Sequence, residues 1–441
     1  MPASSAKWSP PELSLAFPDI TPRADVALAT GHRGTRQLPI ANDTVQARRI
    51  EDSRIAASTT LPCQRVLFLY WGRRGLSEFS LMLADAARAR SDIEAFFTVS
   101  RQNEKFSDFE MLGECLEPVT TFESNLGALM SIARVNKARS QVLKRLRTDR
   151  IDTVVSLMPH VWSPLIAPAI RAAGVKFVSI VHDAEPHPGD LTSWVASWAF
   201  RDLVHSDLVL TLSEHVTKSL KESDTVDPSI VRTLFHPNLR FAEPVRPAWP
   251  LPTEPFRVLF LGRILPYKGL GLLIEAVEGL RARGLNIALG VFGDGAIAPY
   301  CERLKSLGAE VENRWLSTDD ISAALNKYHA VALSHTEASQ SGIAALAAGH
   351  CVPTVANPVG GLVEQIVNER SGLLASLPTA AAFGDALGRL AGDRGLYDSI
   401  TVNLQAEYNK KSFGAFLSNV LACIHEFPAH AQGVAKVGDN M

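Results

Sequence analysis

The chain has 441 residues, 46% hydrophobic and 20% charged, with 44 Lys and Arg against 46 Asp and Glu. That length exceeds what one hydrophobic core organises, and the near-neutral balance excludes a globally basic nucleic-acid binder. Cys63, Cys115, Cys301, Cys351 and Cys423 are odd in number and lack any CxxC or metal-ligand spacing, which argues against a disulfide scaffold or a zinc site and fits a reducing compartment.

Residues 1–62 mix Pro, Ser, Thr and isolated charges without a basic-then-apolar leader pattern, and read as a poorly ordered tail. No uninterrupted apolar run reaches the roughly 18 residues of a membrane span, so the expectation is a cytoplasmic protein. At Arg65 the pattern changes. Val66–Tyr70 is a nearly continuous apolar run, the mark of a strand buried on both faces, and it leads into Gly72-Arg73-Arg74-Gly75 and a helical stretch at Leu81–Ala87. Further apolar runs at Ala95–Val99, Thr153–Leu157, Val175–Val181 and Leu208–Leu212 are separated by helix-like segments, which predicts βαβ units on a parallel sheet.

Pro244, Pro247, Pro250, Pro252 and Pro255 then mark a linker, because proline fixes φ and removes amide donors. The strand–helix alternation restarts at Arg257–Leu261 and continues through Ile287–Phe292, Ala330–Ser334 and Val352–Ala356. The reading is an α/β protein of two Rossmann-like halves, 63–240 and 257–410, facing a cleft and joined by a linker over 241–256. A helix over 411–427 and a short tail over 428–441 complete it. Ligands of such folds sit at the carboxyl ends of the strands.

Four strand ends carry residues suited to chemistry. In Gly262-Arg263-Ile264-Leu265-Pro266-Tyr267-Lys268-Gly269, a buried strand ends in glycine, and two cations precede a helix N-terminus. Arg263 and Lys268 suit a diphosphate; the alternative is two solvated loop cations. In Ser334-His335-Thr336-Glu337-Ala338-Ser339-Gln340-Ser341-Gly342, the Glu337 carboxylate could accept two sugar hydroxyls or simply complement a helix dipole. Val359-Gly360-Gly361 offers backbone amides, and Phe292-Gly293-Asp294-Gly295 is a tight turn from which no chemistry is expected of Asp294.

In this order and spacing, these segments resemble the nucleotide-binding half of the retaining family-4 glycosyltransferases of the GT-B fold. The likeness is good from Arg257 to about Ala375 and weaker over Arg65–Pro237. It implies that Gly262, Arg263, Lys268 and Gly269 meet the donor diphosphate, that Glu337 meets the transferred sugar, and that Gly360 and Gly361 line the same site. It further implies a histidine beside the donor sugar, carried here by His182, whose alternative is a histidine that satisfies loop carbonyls. Gly72 and Gly75 fall where the family has a glycine-rich loop near the acceptor, and Arg73 and Arg74 between them suit an anionic acceptor. One departure stands out. The family's second glutamate, which reaches the nucleotide ribose, is Ala345 here, followed by Leu346. Ser339, Gln340, Ser341 and Gly342 match a variant that could serve part of that role, and Glu364 is a further substitute.

The resemblance implies transfer of a sugar from a nucleoside diphosphate sugar to a saccharide or lipid-linked acceptor, with no cofactor. No Asp-x-Asp stands at a strand end, so no essential metal is expected. A non-catalytic relative of the fold, or an epimerase or phosphorylase on it, is the alternative; a dehydrogenase is disfavoured because no GxGxxG follows a first strand. Residues 132–150 carry Ile132, Val135, Val142, Leu143 and Leu146 at helical spacing with seven cations against Asp149. They read either as a membrane-surface helix, placing the protein peripherally on the inner face of the plasma membrane, or as a solvated basic face.

Overall fold

The computed structural model describes residues 63–73, 75–122, 132–183, 198–223 and 225–427, the side chains of 132 and 133 excepted. The tails at 1–62 and 428–441 and Arg74 lie outside the described residues.

The first sheet contains β1 (Gln64–Tyr70), β2 (Ile93–Ser100), β3 (Leu116–Val119), β4 (Thr153–Ser156), β5 (Lys176–Val181), β6 (Leu208–Thr211) and β7 (Val231–Thr233). They lie in the order β3-β2-β1-β4-β5-β6-β7, all parallel. The second sheet contains β8 (Phe256–Leu261), β9 (Ile287–Phe292), β10 (Glu310–Glu312), β11 (Ala330–Leu333), β12 (Thr354–Ala356) and β13 (Gly372–Leu374). Its order is β10-β9-β8-β11-β12-β13, again parallel. This is the expected pair of α/β lobes in a GT-B architecture.

The continuous apolar runs have a direct cause. In β1, Val66, Phe68 and Tyr70 point into one core while Leu67 and Leu69, followed by Trp71, point into another across the sheet. Alternate side chains face opposite ways in a strand, so a strand covered on both faces needs both sets apolar. The same division recurs in β8: Val258 and Phe260 enter the second lobe's core, and Leu259 and Leu261 enter the core that also holds Phe68 and Phe416. One apolar cluster therefore runs through both lobes. The short outer strands β3, β7, β10 and β13 have only three or four residues each and carry no readable period.

The helices needed here are α1 (Ser77–Arg88), α2 (Ile132–Thr148), α3 (Glu214–Glu222), α4 (Leu270–Ala282), α5 (Gly342–Gly349) and α6 (Phe413–Glu426). The last returns to the first lobe. Phe79 of α1 packs edge-on against Phe413 and Phe416 at 5.2 and 5.7 Å, and the Lys176 ammonium donates to the Ile424 carbonyl at 2.6 Å. Where the two connections between lobes pass each other, the Asn238 N–H donates to the Lys411 carbonyl at 2.7 Å.

Helix α2 narrows the membrane expectation to a contact made by its polar face. Its apolar stripe, Val135, Ala138, Val142 and Leu146, is buried in the first lobe's core and is not free to enter a bilayer. Arg134 donates to the Thr121 carbonyl, and Arg145 pairs with Asp149. Among its described side chains, those α2 leaves fully outward are polar, with Lys137, Arg139, Lys144 and Arg147 exposed. Among the described residues, no helix is long and apolar enough to cross a membrane.

Candidate active site

A cavity of about 640 Å³ opens between the lobes at the carboxyl ends of their strands. Its second-lobe wall is built from the loops after β8, β9 and β10 and the first turns of α5; its first-lobe wall comes from the start of α1, Glu104 and Lys105 in the loop after β2, and the segment His236–Phe241.

The loop after β8 is shaped by backbone crowding. Gly262 has φ +109, and its carbonyl lies so close to Gly293 (φ +147) that a Cβ on Gly293 would sit 2.0 Å from it. Gly269 has φ +69, and a Cβ there would come within 1.9 Å of the Ser334 carbonyl oxygen. Only glycine permits that contact in that conformation. The Ser334 hydroxyl in turn donates to the Lys268 carbonyl at 3.0 Å. Pressed against the end of β11 in this way, the loop directs the Lys268 ammonium to His335 Nε2 at 2.9 Å. Gly269 itself does not line the cavity, and its N–H is spent on the Pro266 carbonyl at 3.1 Å. Its place in the motif is therefore to aim Lys268.

Lys268 is partly buried, and desolvation, with Arg263 nearby, pushes its amine down to about 8. Arg263 is exposed and borders the same cavity. Two cations held close together at a cost to one of them make a site that favours an anion. Across the mouth stands Trp315, 52% exposed, beside Arg314, which is anchored to Asp320 at 2.7 Å. Asp320 is also the N3 partner in a capping box with Ser317. Sequence reasoning passed over this stretch. A lone exposed tryptophan in a polar connector was the available signal, since a flat ring at a cavity mouth suits stacking on a base or sugar.

Most of the sequence-predicted residues fall into two groups. Gly75, Gly262, Arg263, Lys268 and Gly342 border the cavity. A second group meets at a seam where the lobes touch. There the Gln340 amide donates to His182 Nδ1 at 3.2 Å, while His182 Nε2 donates to the Leu157 carbonyl at 3.0 Å. His182 is buried, desolvation lowers its basicity, and its ring stands edge-on to Phe79, a cavity residue, at 5.2 Å. The Ser339 carbonyl accepts from the Ser213 hydroxyl at 2.9 Å. Ser341 caps α5, its hydroxyl accepting from Ala344, and its N–H donates to the Gln365 side chain at 2.7 Å.

Gly360 (φ +46) and Gly361 let two loops of the second lobe touch: Cβ atoms there would lie 1.8 and 2.1 Å from the Ala338 and Ser339 carbonyls. The Glu364 carboxylate, expected near a ribose, instead accepts from the Glu214 and His215 N–H groups at 2.6 and 2.8 Å. Ala345 is buried, and its carbonyl accepts from Leu239, while Leu346 lines the cavity. Glu337 is exposed and outside the cavity lining. Gly72 is buried against Met158 and Tyr70, and Arg73 is exposed, 4.0 Å from Glu104. Neither borders the cavity. Among the described residues, no three His, Cys, Asp or Glu side chains converge as a metal cluster would.

Residues 255–393 match the family model described as "Glycosyl transferases group 1". A D-inositol 3-phosphate glycosyltransferase of Saccharomonospora viridis is 29% identical over 250 residues, 52% of this chain and 56% of the relative. A GDP-mannose-dependent alpha-(1-6)-phosphatidylinositol monomannoside mannosyltransferase of Mycolicibacterium smegmatis is 28% identical over 252 residues, covering 52% and 64%. The chain thus spans little more than half the length of such curated relatives. Among solved structures, Anabaena Alr3699/HepE in complex with UDP superposes with a TM-score of 0.62 at 16% identity, over 82% of this chain and 100% of that one. A sucrose-phosphate synthase from Thermosynechococcus elongatus gives 0.61 at 14%, over 82% and 99%. At those identities the superpositions establish the fold.

Proposed function

From a GT-B chain related through its second lobe to the group 1 glycosyl transferases, we propose an enzyme that moves a sugar from a nucleoside diphosphate sugar to an acceptor hydroxyl with retention of configuration. The observation that carries this reading is the pairing of Arg263 and Lys268 on one wall of the interlobe cavity, with Trp315 exposed at its mouth. The cations neutralise the diphosphate, and the Trp315 ring offers the base a stacking face.

In the reaction, the bond from the anomeric carbon to the diphosphate oxygen breaks while the acceptor oxygen bonds to the same face of the sugar. The acceptor proton passes to the leaving phosphate oxygen. Negative charge grows on the diphosphate, and Arg263 and Lys268 stabilise it; fixed donors of this kind are worth about 3–4 kcal/mol each when removed. That charge neutralisation stands in for a divalent ion, so we take the reaction to be metal-independent. Glu337 would hold sugar hydroxyls from the exposed loop after β11. HepE is seen with UDP and the mycolicibacterial relative is GDP-mannose-dependent, so the test is a calorimetric titration of UDP, GDP and ADP, with and without EDTA. Tight binding of one of them that survives EDTA is the expected result. No binding by any overturns the reading.

The acceptor we propose is a saccharide or lipid-linked saccharide used in surface polysaccharide synthesis, handled at the inner face of the plasma membrane. The exposed cations Lys137, Arg139, Lys144 and Arg147 would meet anionic headgroups by charge alone. Co-sedimentation with phosphatidylglycerol vesicles should then be strong at low salt and lost at high salt. Salt-independent binding would contradict a purely electrostatic contact.

A further inference from the structure

We propose that Glu364 is a positioning residue: it clasps the N-terminus of α3 in the opposite lobe and so holds the interlobe cavity in its closed, donor-binding shape. The inference rests on the donor-site reading above only for its kinetic consequence.

Glu364 sits in the short helix Leu362–Gln365 of the second lobe, and α3 begins 150 residues earlier in the first. The first amides of a helix have no acceptor within it and carry its positive end. Here the foreign carboxylate supplies both acceptors, one oxygen to Glu214 N–H at 2.6 Å and the other to His215 N–H at 2.8 Å. The helix already has its own cap, since the Ser213 hydroxyl accepts from Val216 N–H. That hydroxyl donates across the seam to the Ser339 carbonyl, and the Gln340 amide reaches His182 beside it.

All the second-lobe groups belong to one stiff unit. Gly361 N–H donates to the Ala338 carbonyl at 2.9 Å, and the close approach at Gly360 and Gly361 leaves the two loops no slack. On the first-lobe side, His182 touches Phe79 in the cavity wall. Movement at the clasp therefore reaches the cavity. The Glu364 contacts are also exposed, so water can replace them as the cleft opens. This makes the clasp reversible, whereas the shared apolar core would hold the hinge side together.

The experiment compares Glu364→Ala and Glu364→Gln with the parent chain by amide hydrogen exchange, X-ray scattering and donor kinetics. Glu364→Ala should lose protection at the Glu214 and His215 amides and show a larger radius of gyration, with each lobe's melting unchanged. If the closed population falls to a tenth, donor KM rises about tenfold with kcat nearly constant. Glu364→Gln keeps acceptor oxygen without full charge and should lie between. Unchanged exchange and scattering in Glu364→Ala would overturn the clasp; opening without a KM change would overturn its positioning role. Should the parent bind no nucleotide, the donor reading falls, while exchange and scattering still decide whether Glu364 closes the lobes.

Discussion

Lys268→Ala is expected to lower turnover by about two orders of magnitude or more and to weaken nucleoside diphosphate binding, leaving the fold intact. The side chain is partly buried at the cavity, its ammonium lying at His335 Nε2 and 5.1 Å from the centre of the Tyr267 ring. Its environment also gives the loss a pH signature. Desolvation and then Arg263 hold the free amine at about 8, so an approaching diphosphate finds it charged near neutrality and largely neutral above about pH 9. The bound anion favours the charged form and raises the pKa. Affinity should therefore fall as pH rises through about 8, with proton uptake on binding in that range and none in Lys268→Ala. Calorimetry in two buffers of different ionisation enthalpy measures that uptake. If Lys268→Ala keeps the parent's affinity and turnover, the diphosphate lies elsewhere and Arg263 must be reconsidered with it.

The parts of the fold that could be read from the chain are those where local chemistry and burial agree. Runs such as Val66–Tyr70 and Val258–Leu261 are apolar throughout because both faces of their sheets are covered, and no helix of that length would need it. Strands β7, β10 and β13, with three residues each, are placed by their neighbours in the sheet and not by their own sequence. The cation loop was legible because glycines at positive φ and two basic residues mark a crowded strand end. The work of Glu364 was not, since its partners are backbone amides, which leave no trace in residue identity. Likewise the stripe Val135, Ala138, Val142 and Leu146 has the same period whether it meets a bilayer or a protein core, and only the neighbouring helix Ser163–Ala172 and strand β1 decide.

Gly269→Ala is expected to be among the most damaging single-methyl changes in the second lobe. The alanine would have to keep φ near +69, a left-handed conformation that costs an L-residue about 1–2 kcal/mol. Its Cβ would also lie 1.9 Å from the Ser334 carbonyl oxygen. That oxygen cannot easily retreat, because it accepts from the Asn357 side chain at 3.1 Å, and Asn357 is fully buried. Relief must come from moving the start of α4 away from β11, at an overpacking cost of about 1–3 kcal/mol more. Together these predict a loss of about 2–5 kcal/mol in denaturant unfolding. Lys268 would move with the loop, so nucleotide affinity should drop even in the folded fraction. Gly279→Ala supplies the contrast. It lies inside the same helix, and the added methyl would meet nothing within 4 Å, so it should gain about 0.5–1 kcal/mol from helix propensity. Equal midpoints for the two variants would mean that the close approach between Gly269 and Ser334 is not held in solution, and the account of how Lys268 is aimed would go with it.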